Sequence, residues 1–244
     1  MTGGASIARD HGLGGGYADR RARIETYFDR TALDAWRQLT STEPVSGIRA
    51  TVRAGRDRMR ATLLAWLPDD LTGRRVLDAG CGSGALAVEA ALRGADVTAV
   101  DVSAGLIELA RRRAPEGPLP GAVSFHVGDM LDPAYGPVHH VVAMDSLIHY
   151  DTADVVRALA SLAGRVSHAM AFTFAPRTPA LALMHAVGRM FPRGDRAPAI
   201  VPVEEVALRR QIAAHPALMG WRVARTQRIK SGFYQSQAME LVRG

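Results

Sequence analysis

The chain of 244 residues is predicted to fold as a doubly wound α/β protein, a mostly parallel sheet with helices on both faces. Three observations carry that expectation. From Gly73 onward, short apolar runs alternate with segments of helical period. The first of those runs enters a glycine-rich turn, and acidic residues stand at the ends of three successive predicted strands.

Two helical segments precede the alternation. Residues 21–39 place Ile24, Phe28, Ala32, Ala35 and Leu39 on one helix face. A second helix is predicted from about Thr51 to Leu67, stopping before Pro68, because proline pushes the preceding residue out of the helical region. RRVLDAG then reads as a short buried strand and its turn, and ALAVEAALRG as a helix stopped by Gly94. ADVTAVDVS is the second strand and AGLIELARRR the helix after it. AVSFHVGD, VHHVVAMD and HAMAFTFA read as three further strands, with a helix over about Thr152–Ala163.

Residues 176–202 break this rhythm with Pro176, Pro179, Pro192, Pro198 and Pro202 around a short amphipathic helix, Ala180–Met190, a candidate lid. The end, GWRVARTQRIKSGFYQSQAMELVR, reads as a helix followed by two strands joined at Ser231-Gly232. The sheet then has seven strands and closes on an antiparallel C-terminal hairpin. The predicted organisation is a disordered tail over 1–20, a helical arm over 21–68, and an α/β domain over 73–244 carrying the lid insertion 176–202. The tail is inferred from Gly and charge, which bury too little surface to order it.

Composition narrows the class. With 48% hydrophobic and 22% charged residues the chain is typical of a soluble globular protein, and no uncharged apolar run is long enough to span a bilayer. The N-terminus has no apolar core of a secretory signal. Cys81 is the single cysteine, so no disulfide framework or cysteine metal cluster is expected, in keeping with a reducing cytoplasm. The net charge of +6 would suit nucleic acid, but the basic residues are almost all Arg and are interleaved with Asp and Glu. A positive surface equally favours anionic small molecules or acidic membrane headgroups.

The strongest local signal is Val76-Leu77-Asp78-Ala79-Gly80-Cys81-Gly82-Ser83-Gly84. Its glycines let the backbone turn sharply and approach a ligand, and the following helix points its positive end there. Nucleotide-binding proteins use similar turns, but here Asp78 precedes the first glycine and the spacing is G-x-G-x-G. S-adenosylmethionine has no pyrophosphate to cradle and does carry an ammonium, which a strand-end carboxylate suits. The segment resembles motif I of class I methyltransferases, a Rossmann-like fold. Asp101, followed by Val102 and Ser103, ends the second strand, where a carboxylate can accept both ribose hydroxyls. In the resembled class, Asp129 meets the adenine amino group while Met130 supplies backbone or packing contacts. Met144, at the end of the fourth strand, completes the expected cofactor set with Gly80, Cys81, Gly82 and Gly84.

The acceptor does not follow from the fold. An adenine- or amide-nitrogen methyltransferase would usually carry an N/D-P-P-Y/F cluster where this chain reads Met144-Asp145-Ser146-Leu147-Ile148-His149-Tyr150. A cytosine C5 enzyme needs a cysteine nucleophile, and Cys81 is committed to the cofactor loop. No nucleic-acid partner is therefore expected. Over nearly all of 21–243 the chain resembles the magnesium-protoporphyrin IX methyltransferase family of chlorophyll and bacteriochlorophyll synthesis. The resemblance rests on Tyr27-Phe28 with Thr31 and Trp36, Ile48-Arg49 with Gly55-Arg56, LDAGCGSG, MDSLIHY, FTFAPRTP, Phe191-Pro192-Arg193 and Phe233-Tyr234.

That resemblance implies methyl transfer from S-adenosylmethionine to one propionate carboxylate of magnesium protoporphyrin IX, giving the monomethyl ester, with magnesium present only as part of the substrate. It also implies transient contact with the porphyrin-binding subunit of magnesium chelatase. A hydrophobic product and a basic surface are compatible with peripheral association at the cytoplasmic face of a membrane. A flat macrocycle needs a wide apolar slot. Met184 and Phe191 could pack on it, or serve as ordinary core, and Arg49, Arg177 and Arg193 could bind propionates or remain solvated. A carboxylate is already ionised at neutral pH, so alignment matters more than base catalysis. His149 and Tyr27 are the candidates to hold the reacting oxygen, against structural roles for both. The competing expectation is a methyltransferase acting on a hydroxyl or carboxylate of another apolar metabolite.

Overall fold

The structure is a computed structural model and describes residues 15–27, 29, 40, 47–177 and 199–244. Seven strands form one sheet: β1 (Arg75–Ala79), β2 (Asp96–Asp101), β3 (Ala122–Val127), β4 (Val138–Ala143), β5 (Val166–Phe174), β6 (Trp221–Ser231) and β7 (Tyr234–Arg243). Their spatial order is β3-β2-β1-β4-β5-β7-β6. Strands β1 to β5 pair in parallel, and β7 runs antiparallel to both β5 and β6. The order reverses beside β1, so the ends of β1 and β4 open a crevice of the kind in which doubly wound sheets bind ligands.

Helices cover both faces, which is why the central strands are apolar runs instead of strict alternations. On one face Leu77, Val141, Met170 and Met239 pack with Val155, Leu159 and Leu162 of α5 (Thr152–Ala163) and Leu208 and Ile212 of α6 (Glu205–Ala214). On the other, Val76, Val97, Val142 and Ala171 pack with Met59 and Leu63 of α2 (Gly47–Leu64) and Leu86 and Ala90 of α3 (Ala85–Leu92). The helix α5 begins where Asp151 accepts from Asp154 N at 2.9 Å, and α4 (Ala104–Arg113) where Ser103 Oγ accepts from Leu106 N at 3.1 Å.

Three sequence expectations need correction. Helix α1 spans Gly15–Tyr27, so residues 15–20 are helical and not part of a disordered tail. The reason is Tyr17, whose buried ring stacks on Tyr150 at 5.0 Å between centroids and gives α1 an anchor that composition does not register. Helix α2 starts earlier than expected and ends at Leu64, where the chain tightens through Trp66 N→Leu63 O and Leu67 N→Leu64 O bonds before Pro68. The C-terminal stretch from Gly220 is entirely hairpin, and the helix expected within it lies upstream as α6. The Ala180–Met190 helix and most of the 176–202 insertion lie outside the described residues.

Helix α2 reaches the hairpin through Gly55. A Cβ there would meet three atoms of the Tyr234 side chain, the nearest at 2.4 Å. Gly55→Ala is therefore expected to destabilise the protein even though alanine favours a helix by about 1 kcal/mol. Overpacking against a buried ring exceeds that gain, for a net loss of about 1–2 kcal/mol, seen calorimetrically as a Tm lower by several degrees. An unchanged Tm would show that the helix does not seat on Tyr234 this closely.

Candidate active site

The ends of β1, β2, β3 and β4, closed by α1, α2 and the hairpin turn, enclose a cavity of about 690 Å³. That is within the usual range for small-molecule sites. The loop after β1 is built around Gly80, Gly82 and Gly84, all at positive φ. It is hooked to β2 by Gly80 N and Cys81 N, both donating to Val100 O at 2.8 and 3.0 Å. Asp101 Oδ2 accepts from Gly82 N at 2.9 Å and Oδ1 from Ser103 N at 3.0 Å, so this carboxylate shapes the loop as well as facing the cavity.

Asp78 is 1% exposed, and its Oδ2 has no hydrogen-bond partner among the described residues. Burial, and then the like charge of Asp101, pushes its carboxyl up to about 7. A buried carboxylate oxygen without a donor is costly, and a ligand ammonium would relieve it. The residues present thus fit the amino-acid end of S-adenosylmethionine. Burial also drives the Cys81 thiol up, with Asp78 and Asp101 adding to the effect, so this cysteine is no thiolate nucleophile at neutral pH.

Asp129 is gripped by α1. Tyr17 Oη donates to its Oδ1 at 2.9 Å and Arg21 Nη1 to its Oδ2 at 2.8 Å, while Leu131 N donates to Oδ1 at 3.0 Å. Arg20 on the same helix binds Asp151 at 2.9 Å and Asp154 at 3.1 Å. Helix α1 is therefore clamped over the Asp129 side of the cavity by two arginines and a tyrosine.

A second carboxylate centre lies at the end of β4. Asp145 has φ 55, unusual for a residue with a side chain, and its backbone N donates to Thr173 Oγ1 at 2.7 Å. Its Oδ2 accepts from Arg56 Nη1 at 2.7 Å. Tyr234 Oη lies 3.1 Å from both oxygens, and Ser236 Oγ and Thr173 Oγ1 donate to Oδ1 at 3.1 and 3.2 Å. Arg56, Tyr234 and Ser236 all line the cavity. Strain of this kind persists where surrounding contacts over-determine it.

Of the expected cofactor residues, Asp78, Gly80, Cys81, Gly82, Asp101, Val102, Asp129, Met130 and Met144 line this one cavity. Gly84 and Ser103 do not. A Cβ on Gly84 would meet Phe125 at 2.7 Å, so that glycine serves packing, and Ser103 is fully buried as the cap of α4. Both catalytic candidates line the cavity, Tyr27 at the end of α1 and His149 in a 3-10 turn, Leu147–His149. His149 Nδ1 lies 3.4 Å from Ala199 O. A carbonyl only accepts, so Nδ1 is the donor of that bond.

Arg49 also lines the cavity, whereas Arg177 is exposed away from it, its backbone N bound to Val203 O at 2.9 Å. Met184, Phe191 and Arg193 lie outside the described residues. Sequence reasoning missed the roles of Tyr17 and Arg21 and the Arg56–Asp145–Tyr234–Ser236 network. Three of its four members appear in the quoted segments Gly55-Arg56, MDSLIHY and Phe233-Tyr234, but no local pattern links them.

Comparison with known proteins identifies the family. The family model described as magnesium-protoporphyrin IX methyltransferase C-terminus matches residues 143–243, and a methyltransferase-domain model matches 76–168. The chain is 50% identical over 225 residues to the magnesium-protoporphyrin O-methyltransferase of Rhodobacter capsulatus, covering 92% of this chain and 97% of that one. It is 29% identical over 227 residues to the Synechocystis enzyme of the same name, covering 92% and 97%. The crystal structure of magnesium protoporphyrin IX methyltransferase from Synechocystis with bound S-adenosylhomocysteine superposes with a TM-score of 0.80 at 28% identity. That superposition covers 93% of this chain and 100% of that one.

Proposed function

The chain belongs to the magnesium-protoporphyrin IX methyltransferase family, and from that premise we infer how its cavity works. It transfers a methyl group from S-adenosylmethionine to one propionate carboxylate of magnesium protoporphyrin IX, giving the monomethyl ester in chlorophyll or bacteriochlorophyll synthesis. The observation that carries this reading is one cavity lined both by strand-end carboxylates and by arginine and aromatic side chains. The magnesium ion belongs to the acceptor.

S-adenosylmethionine supplies an electrophilic methyl group on a sulfonium. Asp78 Oδ2 binds its ammonium, Asp101 accepts from the ribose with the lone pairs its two backbone donors leave, and Asp129 accepts from the adenine amino group beneath α1. The acceptor carboxylate arrives ionised, so the chain need not remove a proton. Its task is to strip water from one oxygen and hold it in line with the methyl, an alignment effect of several kcal/mol. The Tyr27 hydroxyl donates to that oxygen, and the His149 ring, on the same cavity wall, confines it.

Two associations follow from the same reading. No helix among the described residues is long and apolar enough to cross a membrane. Exposed Ile48, Ile200 and Phe233, two of them at the cavity wall, support peripheral contact with a membrane face. The same rim would serve transient contact with the chelatase subunit that releases the porphyrin.

Purified protein given S-adenosylmethionine and magnesium protoporphyrin IX is expected to yield a porphyrin heavier by one methylene unit, read by chromatography and mass. His149→Ala and Tyr27→Phe should each slow turnover by about tenfold to a hundredfold, within the range of single positioning groups. No methylated porphyrin from the wild-type protein would refute the reading.

Cofactor affinity should also depend on pH through Asp78. A bound ammonium favours the ionised carboxylate, so affinity is full above about 7 and falls as pH drops below that value, by up to about tenfold per unit. Calorimetry with S-adenosylhomocysteine between pH 8 and 6 checks this, and Asp78→Asn should weaken binding and flatten the profile. A flat wild-type profile would remove Asp78 from ammonium binding.

A further inference from the structure

The acceptor carries two propionates and only one is esterified. We propose that Arg56, held in place by Asp145, binds the propionate that is not methylated, and thereby makes the enzyme stop at the monoester. The inference rests on the porphyrin reading above.

Three observations lead to it. Helix α2 presents Arg49, Val52, Arg56 and Arg60 to the cavity, positions that share one helix face. Arg60 is engaged by Glu89 at 2.5 Å and Asp57 at 3.0 Å, and Arg21 on α1 is engaged by Asp129 on the cofactor side. Arg56 is the mostly buried member, its side chain 19% exposed, and it enters the cavity beside the end of β4.

Asp145 acts here as a positioning residue. Its charge is shared among Arg56, Tyr234, Ser236 and Thr173, three of them neutral hydroxyl donors. Those hydroxyl dipoles offset part of the carboxylate's charge, so the ion pair fixes the guanidinium and leaves it part of its pull on an anion in the cavity. The positive φ of Asp145 and its N–H bond to Thr173 aim the carboxylate at α2. A guanidinium has five N–H donors in a planar fork and holds a carboxylate in a defined orientation.

Chemistry decides which propionate this is. In the transfer, one carboxylate oxygen forms the new O–CH3 bond as the S–CH3 bond breaks and the sulfur keeps the electron pair. No proton moves, and the carboxylate loses its negative charge. An arginine on that carboxylate would stabilise the ionised starting state more than the transition state and slow the step. On the spectator propionate, whose charge never changes, the same contact costs nothing along the reaction. A second methylation would require the product to bind reversed, with its neutral ester against Arg56. A site built to pair a charge rejects the analogue that lacks it.

The test compares magnesium protoporphyrin IX and its monomethyl ester as acceptors. Wild-type protein should prefer the diacid by at least tenfold in kcat/KM. Arg56→Gln should raise KM for the diacid at least tenfold, more than it lowers kcat, leave S-adenosylhomocysteine affinity unchanged, shrink the preference to below threefold and yield some diester. Arg56→Lys should restore part of the preference. If a lone buried Asp145 prevents folding, Arg56→Gln/Asp145→Asn removes both charges and should show the same loss. Equilibrium binding to the wild-type protein, read by porphyrin fluorescence, should favour the monoester over the dimethyl ester at least tenfold. An undiminished preference in Arg56→Gln, or equal binding of monoester and diester to wild type, would overturn the proposal. Wild-type protein that forms no ester at all would instead refute the porphyrin reading beneath it.

Discussion

Four aspartates end or follow the four strands that face the cavity, and the structure depends on how their charges are met. Asp78, Asp101, Asp129 and Asp145 follow from parallel strand geometry, which brings the carboxyl ends of β1 to β4 to one side. Carboxylates gathered in a low-dielectric pocket repel one another unless each is paired. Asp101 is met by backbone amides of its own neighbourhood. Asp129 recruits α1 through Tyr17 and Arg21, and Asp145 recruits α2 and the hairpin through Arg56 and Tyr234. Asp78 alone keeps a buried oxygen without a donor among the described residues, and that deficit marks where a cationic ligand belongs.

The two N-terminal helices are thereby part of the active site as much as of its walls. The α/β core supplies the strand-end carboxylates of the cavity, and the parts outside it supply much of the remaining wall. Helix α2 brings an arginine-bearing face, α1 brings Tyr27, and the β4–α5 connection brings His149. Gly55 allows α2 to sit against Tyr234 closely enough for Arg56 to reach Asp145. A packing requirement on one residue and an electrostatic requirement on the next meet in the Gly55-Arg56 pair.

Much of this was legible in the sequence because it is local. The βαβ rhythm, the Asp78–Gly84 turn and the helix Thr152–Ala163 are each written in a dozen or so consecutive residues, the last with Asp151 as its cap. What escaped was non-local. Tyr17 is ordered by Asp129, 112 positions away, and within its own segment it is one aromatic among glycines and charges. The Asp145 network joins α2, β5 and β7, so no window of sequence contains it. The C-terminal helix was misplaced because the long strand β6, polar on its exposed face, lacks the apolar run that marks the central strands.

A crystal structure of the protein with S-adenosylhomocysteine and magnesium protoporphyrin IX tests the central claim most directly, that one cavity takes both ligands through these strand-end carboxylates. The account predicts the amino nitrogen of S-adenosylhomocysteine within hydrogen-bond distance of Asp78 Oδ2. It predicts the porphyrin against α2, with one propionate facing the sulfur and the other on Arg56. A porphyrin seated outside the cavity, or Asp78 Oδ2 still without a donor in the complex, would contradict it.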